Sequence, residues 1–202
     1  PCAMFELAYL IEKCGFPKGV VSVVTGDAES CSEPLTSHPD IDRIAFTGGT
    51  HTAKEIIKNS SNNFAATNLE LGGKSPLIVF GDADLESAAN GIIAGNFGAS
   101  GQSCVAGSRV IVHKNITQEL IKLIEKKSQS IIVGDPLNPE TNLGPLCTVK
   151  QIHLIEETLK KSIEQGGKII FGGKKIEQDG NYFEPTLIHC PNRQIETLKV
   201  EM

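Results

Sequence analysis

The feature that most constrains this chain is an alternation of short apolar runs with longer helical stretches. "DRIAF" (42–46), "ATNLEL" (66–71), "SPLIVF" (75–80) and "SRVIVH" (108–113) read as strands, whereas 50–59, 84–95 and 117–128 read as helices. Strand, helix, strand in that order predicts parallel strands joined by right-handed crossovers, an α/β fold. Ahead of them, Met4, Leu7, Ala8 and Ile11 recur at helical spacing in 3–14. "VVSVV" (20–24) reads as a short buried strand, and 28–37 as a polar helix. Further on, the sequence predicts a helix from 97 to about Ala106 and a proline-rich connector, "VGDPLNPETNLGP". A charged helix over 148–165, a strand at "KIIFGG" and the segment "YFEPTLI" complete the pattern. Gly72-Gly73, between two strands, marks the clearest seam.

Composition narrows the function classes. The basic residues are scattered and the net charge is −5, so nothing points to a nucleic acid or an anionic membrane as partner. No apolar run approaches the roughly 20 residues of a membrane helix. The six cysteines (2, 14, 31, 104, 147, 190) are widely spaced with no C-x-x-C pair, which points to reduced thiols in a cytosolic compartment. The five histidines lack metal-ligand spacing, so no metal site is expected. Beginning on Pro1 and ending at "LKVEM", the chain reads as a fragment.

Four motifs carry chemistry. "FTGGT" follows a strand and opens a helix, a natural seat for phosphate at the positive end of a helix dipole; a plain strand-to-helix turn would have the same sequence. It does not match the usual G-x-G-x-x-G dinucleotide turn. "LGGKS" is not a P-loop, because Asn68 stands where the first glycine belongs; the bland reading makes Gly72 and Gly73 a turn and Lys74 a solvated side chain. Glu70, flanked by Leu69 and Leu71 at a strand end, suits a general base of raised pKa, or a carboxylate on the solvent face of an edge strand. Cys104, in "FGASGQSCVAG", is a small core hydrophobe, a metal ligand or a nucleophile; a reactive thiol would need N–H donors or positive charge beside it. A Cys–His hydrolase with His113 or His153 as base stays open, and the other five cysteines read as structural.

In this order and spacing, with Glu70 34 residues before Cys104, "FTGGT", "LELGGKSP" and "GQSC" resemble the NAD(P)-dependent aldehyde dehydrogenase family. "GFPKGVVSVVTG", "HPDIDRIAFTGGT", "VGDPLNPETNLGPL" and "NYFEPTLI" extend the resemblance through almost the whole chain. It implies a partial Rossmann-like, parallel-sheet cofactor domain over 1–71 and an α/β catalytic domain, truncated at its C-terminus, over 73–202. Cys104 would attack an aldehyde, with its oxyanion held by the Cys104 N–H and an Asn side chain. Hydride transfer to NAD or NADP would leave a thioester, and Glu70 would activate water to release the carboxylic acid.

The resemblance also implies cofactor contacts at Thr47, Gly48, Gly49, Ala53, Leu71, Gly72 and Glu201. Glu201 matches the carboxylate that binds the nicotinamide ribose. Gly49 stands where many members have Ser, and Ala53 where many have a second Gly. The oxyanion Asn and an adenosine-binding Lys are expected upstream of Pro1, so the 202 residues alone are expected to be inactive or nearly so. The parent enzyme is expected to be a cytoplasmic homodimer or homotetramer acting on a small aldehyde. Two alternatives are an acylating, coenzyme A-dependent member, against which Glu70 argues, and a non-catalytic scaffold relative, which the changes at Gly49 and Ala53 favour slightly.

Overall fold

A computed structural model describes residues 2–202, in two compact units that divide between Leu71 and Gly72. The first contains α1 (Cys2–Lys13), a turn of π-helix at Ala28–Ser32 continuing into α2 (Glu33–Ser37), β1 (Arg43–Gly48), α3 (Thr50–Ser60) and β2 (Ala66–Leu71). β1 and β2 run parallel, and α3 is the crossover between them. Ala53, Ile56 and Ser60 line the buried stripe of α3, at the spacing of three and four that one helix face requires. Thr36 ties α2 to α3: its hydroxyl accepts from Asn59 Nδ2 at 3.1 Å and donates to the Ser32 carbonyl at 2.8 Å.

One predicted strand is absent. Residues 22–27 carry no secondary structure and 20–21 lie in a bend, so "VVSVV" is not a strand. Val20, Val21 and Val24 are exposed, and among the described residues the sheet of this unit holds β1 and β2 alone, with no further strand on either edge. β-branched composition favours a pleated surface, but a strand exists only where a neighbour takes its hydrogen bonds. α1 forms where its periodicity predicts, yet none of its residues is buried.

The second unit begins with another parallel pair, β3 (Pro76–Val79) and β4 (Arg109–Val112), joined through α4 (Leu85–Phe97). α5 (Thr117–Ser128) packs on α4. Val79, Ala89, Ile92, Leu120 and Ile124 form the core between these elements, with Leu77, Val110, Phe171 and Leu187 packed around it. A second core gathers Ile152 and Leu159 of α6 (Val149–Glu164) with Phe183. β5 (Lys168–Phe171) and β6 (Leu187–His189) pair antiparallel, with an irregularity between Ile169 and Phe171. Asx turns shape the proline-rich connector: Asp135 Oδ1 accepts the Leu137 N–H and Asn138 Oδ1 the Glu140 N–H.

The predicted helix from 97 to 106 is also absent. α4 ends at Phe97 and a 3₁₀ turn covers only Gly98–Gly101; 102–108 is turn and loop. Ala99 (φ 52°) and Ser100 (φ 55°) are left-handed, a conformation that cannot continue a right-handed helix. Among the described residues no helix is long and apolar enough to cross a membrane.

Two measurements test this packing. Leu120 is 1% exposed at the centre of the core, and Leu120→Ala should cost roughly 2–5 kcal/mol in a urea unfolding curve. Asp84 caps α4, accepting the Ser87 N–H at 2.8 Å, and its hydrogen bonds with Ser87 hold its carboxyl below the ordinary 3.8. The cap's contribution is therefore complete above the usual aspartate range and lost as pH falls through the lowered value. Asp84→Ala should remove that part of the acid-dependent loss of stability in an unfolding midpoint measured from pH 6 down to 2.

Candidate active site

Parallel register brings two motifs of the first unit side by side. Thr47 faces Glu70 and Gly48 faces Leu71 across β1 and β2, so the glycine turn and the carboxylate share the C-terminal edge of one sheet. A Cβ on Gly48 would collide with the Phe46 ring, which explains a glycine there. β1 runs two residues beyond its predicted end, and the turn into α3 is made by Gly49 alone. Gly49 caps α3 with extended backbone (φ −77°, ψ 150°) and no side-chain oxygen. The first intrahelical bond runs from Ala53 N–H to Gly49 O at 3.1 Å, so Thr50, His51 and Thr52 have no intrahelical acceptor for their N–H groups. Open space surrounds the position a Cβ would take on Gly49. Uncapped donors at the positive end of a helix, with room in front, fit an anionic phosphate. Ala53 itself is buried at 2% exposure, its N–H already taken by Gly49.

Glu70 lies at an exposed position in its unit, 3.4 Å from Asn68 Nδ2 through Oε1. The apolar enclosure suggested by Leu69 and Leu71 is not present there. Strand residues alternate faces, so both leucines point away from the face that carries Glu70 and Asn68.

Cys104 belongs to the second unit, and it is exposed on the turn after the 3₁₀ segment. It is therefore no core hydrophobe within this unit. Among the described residues its N–H makes no hydrogen bond, while the turn closes around it through Ala106 N–H to Ser103 O at 3.1 Å. The loop is anchored on both sides. Asn96 Nδ2 donates to Ile92 O at 2.8 Å and to Gly107 O at 3.3 Å, and Gln102 Oε1 accepts the Cys147 N–H at 3.0 Å. Neither anchor was legible from sequence, although Gln102 stands inside "GQSC". Cys2, Cys14 and Cys147 are exposed and so do not pack as structural core thiols here. Among the described residues no three His, Cys, Asp or Glu side chains gather as a metal-ligand set.

Glu201 approaches Gly72 so closely that a Cβ on Gly72 would coincide with its carboxylate. Lys74 is half-buried rather than solvated. Burial pushes its ammonium below the usual lysine range; Glu201 and then Cys190 oppose that shift, and Arg109 adds to it. Arg109, which donates from Nε to the Lys74 carbonyl, stands 35 positions away, beyond the reach of local pattern.

Gln102→Ala should leave the fold intact and free the Cys147 amide, so its hydrogen exchange, and that of residues 98–108, should quicken about fivefold or more for a bond of roughly 1 kcal/mol. Unchanged exchange would remove Gln102 as an anchor.

The aldehyde dehydrogenase family profile matches residues 1–202. The chain is 47% identical over 190 residues to (Z)-2-((N-methylformamido)methylene)-5-hydroxybutyrolactone dehydrogenase of Acinetobacter baylyi, covering 94% of this chain and 39% of that protein. A crystal structure of betaine aldehyde dehydrogenase from Staphylococcus aureus in complex with NAD+ superposes with a TM-score of 0.93 at 32% identity, covering 98% of this chain and 40% of the other. A structure of 3,6-anhydro-L-galactose dehydrogenase in complex with NADP gives 0.93 at 36% identity, covering 98% and 42%. The chain spans about two-fifths of the length of the relatives it matches. It belongs to the aldehyde dehydrogenase family.

Proposed function

We propose that the protein oxidises an aldehyde to a carboxylic acid with NAD or NADP, using Cys104 as nucleophile and Glu70 as base. The observation that carries this reading is the placement of Cys104: an exposed thiol on an anchored turn, with its own N–H unclaimed. A carbonyl carbon attacked by the thiolate develops negative charge on oxygen, and a free N–H at the attacking residue can hold that charge. Bound NAD or NADP supplies the hydride acceptor. The thioester left on Cys104 is opened by water that gives its proton to Glu70, so one hard oxidation becomes two steps. Exposure of Glu70 within its unit suits a group that must meet water.

The first unit contributes the cofactor-binding part and the second the catalytic part; a division into compact units between Leu71 and Gly72 supports this reading. Thr47, Gly48 and Gly49 with the α3 N-terminus form the phosphate end of the cofactor site. Family resemblance assigns Leu71, and separately Gly72 and Glu201, to the nicotinamide, and Ala53 supports the turn from within the core of its own unit. Six free cysteines support a reducing, cytoplasmic setting, and family resemblance supports a homodimer or homotetramer.

In the full-length gene product, assayed against a panel of aldehydes, Cys104→Ser should abolish NADH formation. Glu70→Gln should retain a single-turnover burst of NADH while steady-state rate falls about 10²–10⁴-fold, the usual contribution of a general base. Undiminished turnover in either variant overturns the assignment of that residue. Restoration of the Glu70→Gln rate by coenzyme A, with an acyl thioester as product, would instead favour the acylating reading. Resistance of Cys104 to iodoacetamide at neutral pH would favour the scaffold reading.

A further inference from the structure

Asn68 and Glu70 alternate with Leu69 and Leu71 along β2, so the amide and the carboxylate leave the same face of the strand. Parallel register sets Ala45 of β1 beside Asn68 and Thr47 beside Glu70. The Ala45 side chain has no polar atom to compete for the Asn68 amide, and Nδ2 donates instead to Glu70 Oε1 at 3.4 Å. Among the described residues this is the one hydrogen bond made by either side chain, and no Lys, Arg or His pairs with Glu70.

Both residues are exposed in their unit, and an exposed glutamate is free to turn about each bond of its side chain. A general base works only when a lone pair stands within hydrogen-bond reach of the proton it takes. The amide donor limits the carboxylate's rotation and does so by one oxygen, leaving Oε2 open. It also carries no charge. A guanidinium or ammonium in its place would hold both oxygens more strongly and make the carboxylate a poorer base.

We propose that Asn68 is a positioning residue for Glu70: its amide holds Oε1, so that Oε2 is presented to the water that opens the thioester. This rests on the reading of Glu70 as the base. In that step the water oxygen bonds to the acyl carbon, its proton passes to Oε2, and the carbon–sulfur bond breaks to release the acid and return the thiolate. Asn68 gives up no proton and touches no reacting atom. Its removal therefore slows thioester hydrolysis and leaves the earlier hydride transfer untouched.

The test is a double-mutant cycle in the full-length gene product, with an aldehyde and the cofactor, NAD or NADP, that support turnover of the parent. Acid quenching at intervals after a single turnover, followed by mass measurement of the acyl-enzyme, gives the decay of the thioester directly. Asn68→Leu should slow that decay about fivefold or more, the size of one hydrogen bond to a charged group at an exposed site. Asn68→Asp keeps the shape, loses the donor and sets a like charge beside Glu70, so it should slow the decay at least as much. Adding Asn68→Leu to Glu70→Gln should change nothing further. In both single Asn68 variants the rate of the reduced-cofactor burst and the thermal midpoint should stay at the parent value. If the thioester of Glu70→Gln decays as fast as that of the parent, the reading of Glu70 as base fails. If Glu70→Gln is slow but Asn68→Leu or Asn68→Asp decays at the parent rate, or the two effects multiply in the double variant, the role of Asn68 alone is overturned. A slower burst together with a lower thermal midpoint marks a packing role for Asn68 and overturns it as well.

Discussion

Parallel pairing is the constraint on which the rest depends. Two parallel strands cannot be joined by a tight turn, so the chain must cross over their face, and here a helix does so twice: α3 between β1 and β2, α4 between β3 and β4. Each crossover returns the chain to the same end of the sheet, so the C-terminal ends of paired strands stand together. Thr47 and Gly48 therefore lie opposite Glu70 and Leu71 although more than 20 positions separate them. The same rule places a helix N-terminus at that edge, because the crossover helix starts where the strand stops. One hydrogen-bonding pattern thus generates both a helix N-terminus with free N–H groups and a neighbouring carboxylate, without requiring a special fold for either.

How much of this was legible depends on where the causes lie. α5 was readable as Thr117–Ser128 because its signal is local: Leu120, Ile124 and Ser128 repeat on one face and are the buried residues. The valine run at 20–24 was misread because strand identity belongs to a pair of segments, and no neighbour in its unit takes its hydrogen bonds. The stretch 97–106 was misread because left-handed backbone at Ala99 and Ser100 leaves no mark in residues of ordinary helix propensity. Lys74 was misread because its burial comes from tertiary structure, with Arg109, 35 positions away, bonded to its carbonyl. Motif order and spacing survived all these errors, since they record chemistry rather than packing.

Glycine does two different things at the candidate site. At Gly49 it leaves space, and a larger residue would meet nothing within its unit. Glycine in place of the Ser that many members carry is therefore tolerated by the fold; in the proposed cofactor site it would leave backbone N–H groups as the donors at this turn. At Gly72 the requirement is steric, because the Glu201 carboxylate occupies the place of a Cβ. Alanine there would have to displace Glu201 from a segment that Ser162 and Gln165 hold in place. Sequence presents both as members of G-G or G-G-T clusters; only the surroundings separate permission from necessity.

The loop that carries Cys104, the proposed nucleophile, shows the complementary arrangement, with rigidity placed beside the thiol rather than on it. Asn96 and Gln102 clamp the loop on the N-terminal side of Cys104 and tie it to Gly107 and Cys147. Ala99 and Ser100 hold a left-handed backbone that costs about 1–2 kcal/mol per residue. Such a conformation persists only where surrounding contacts over-determine it, and the clamps supply those contacts. Cys104 itself is left with an exposed thiol and an unclaimed N–H. In the proposed reaction such a thiol must attack, carry an acyl group and be released, which a structural contact would impede. The small residues around it make that separation possible, since glycine, alanine and serine let the loop turn tightly while leaving the approach to sulfur open.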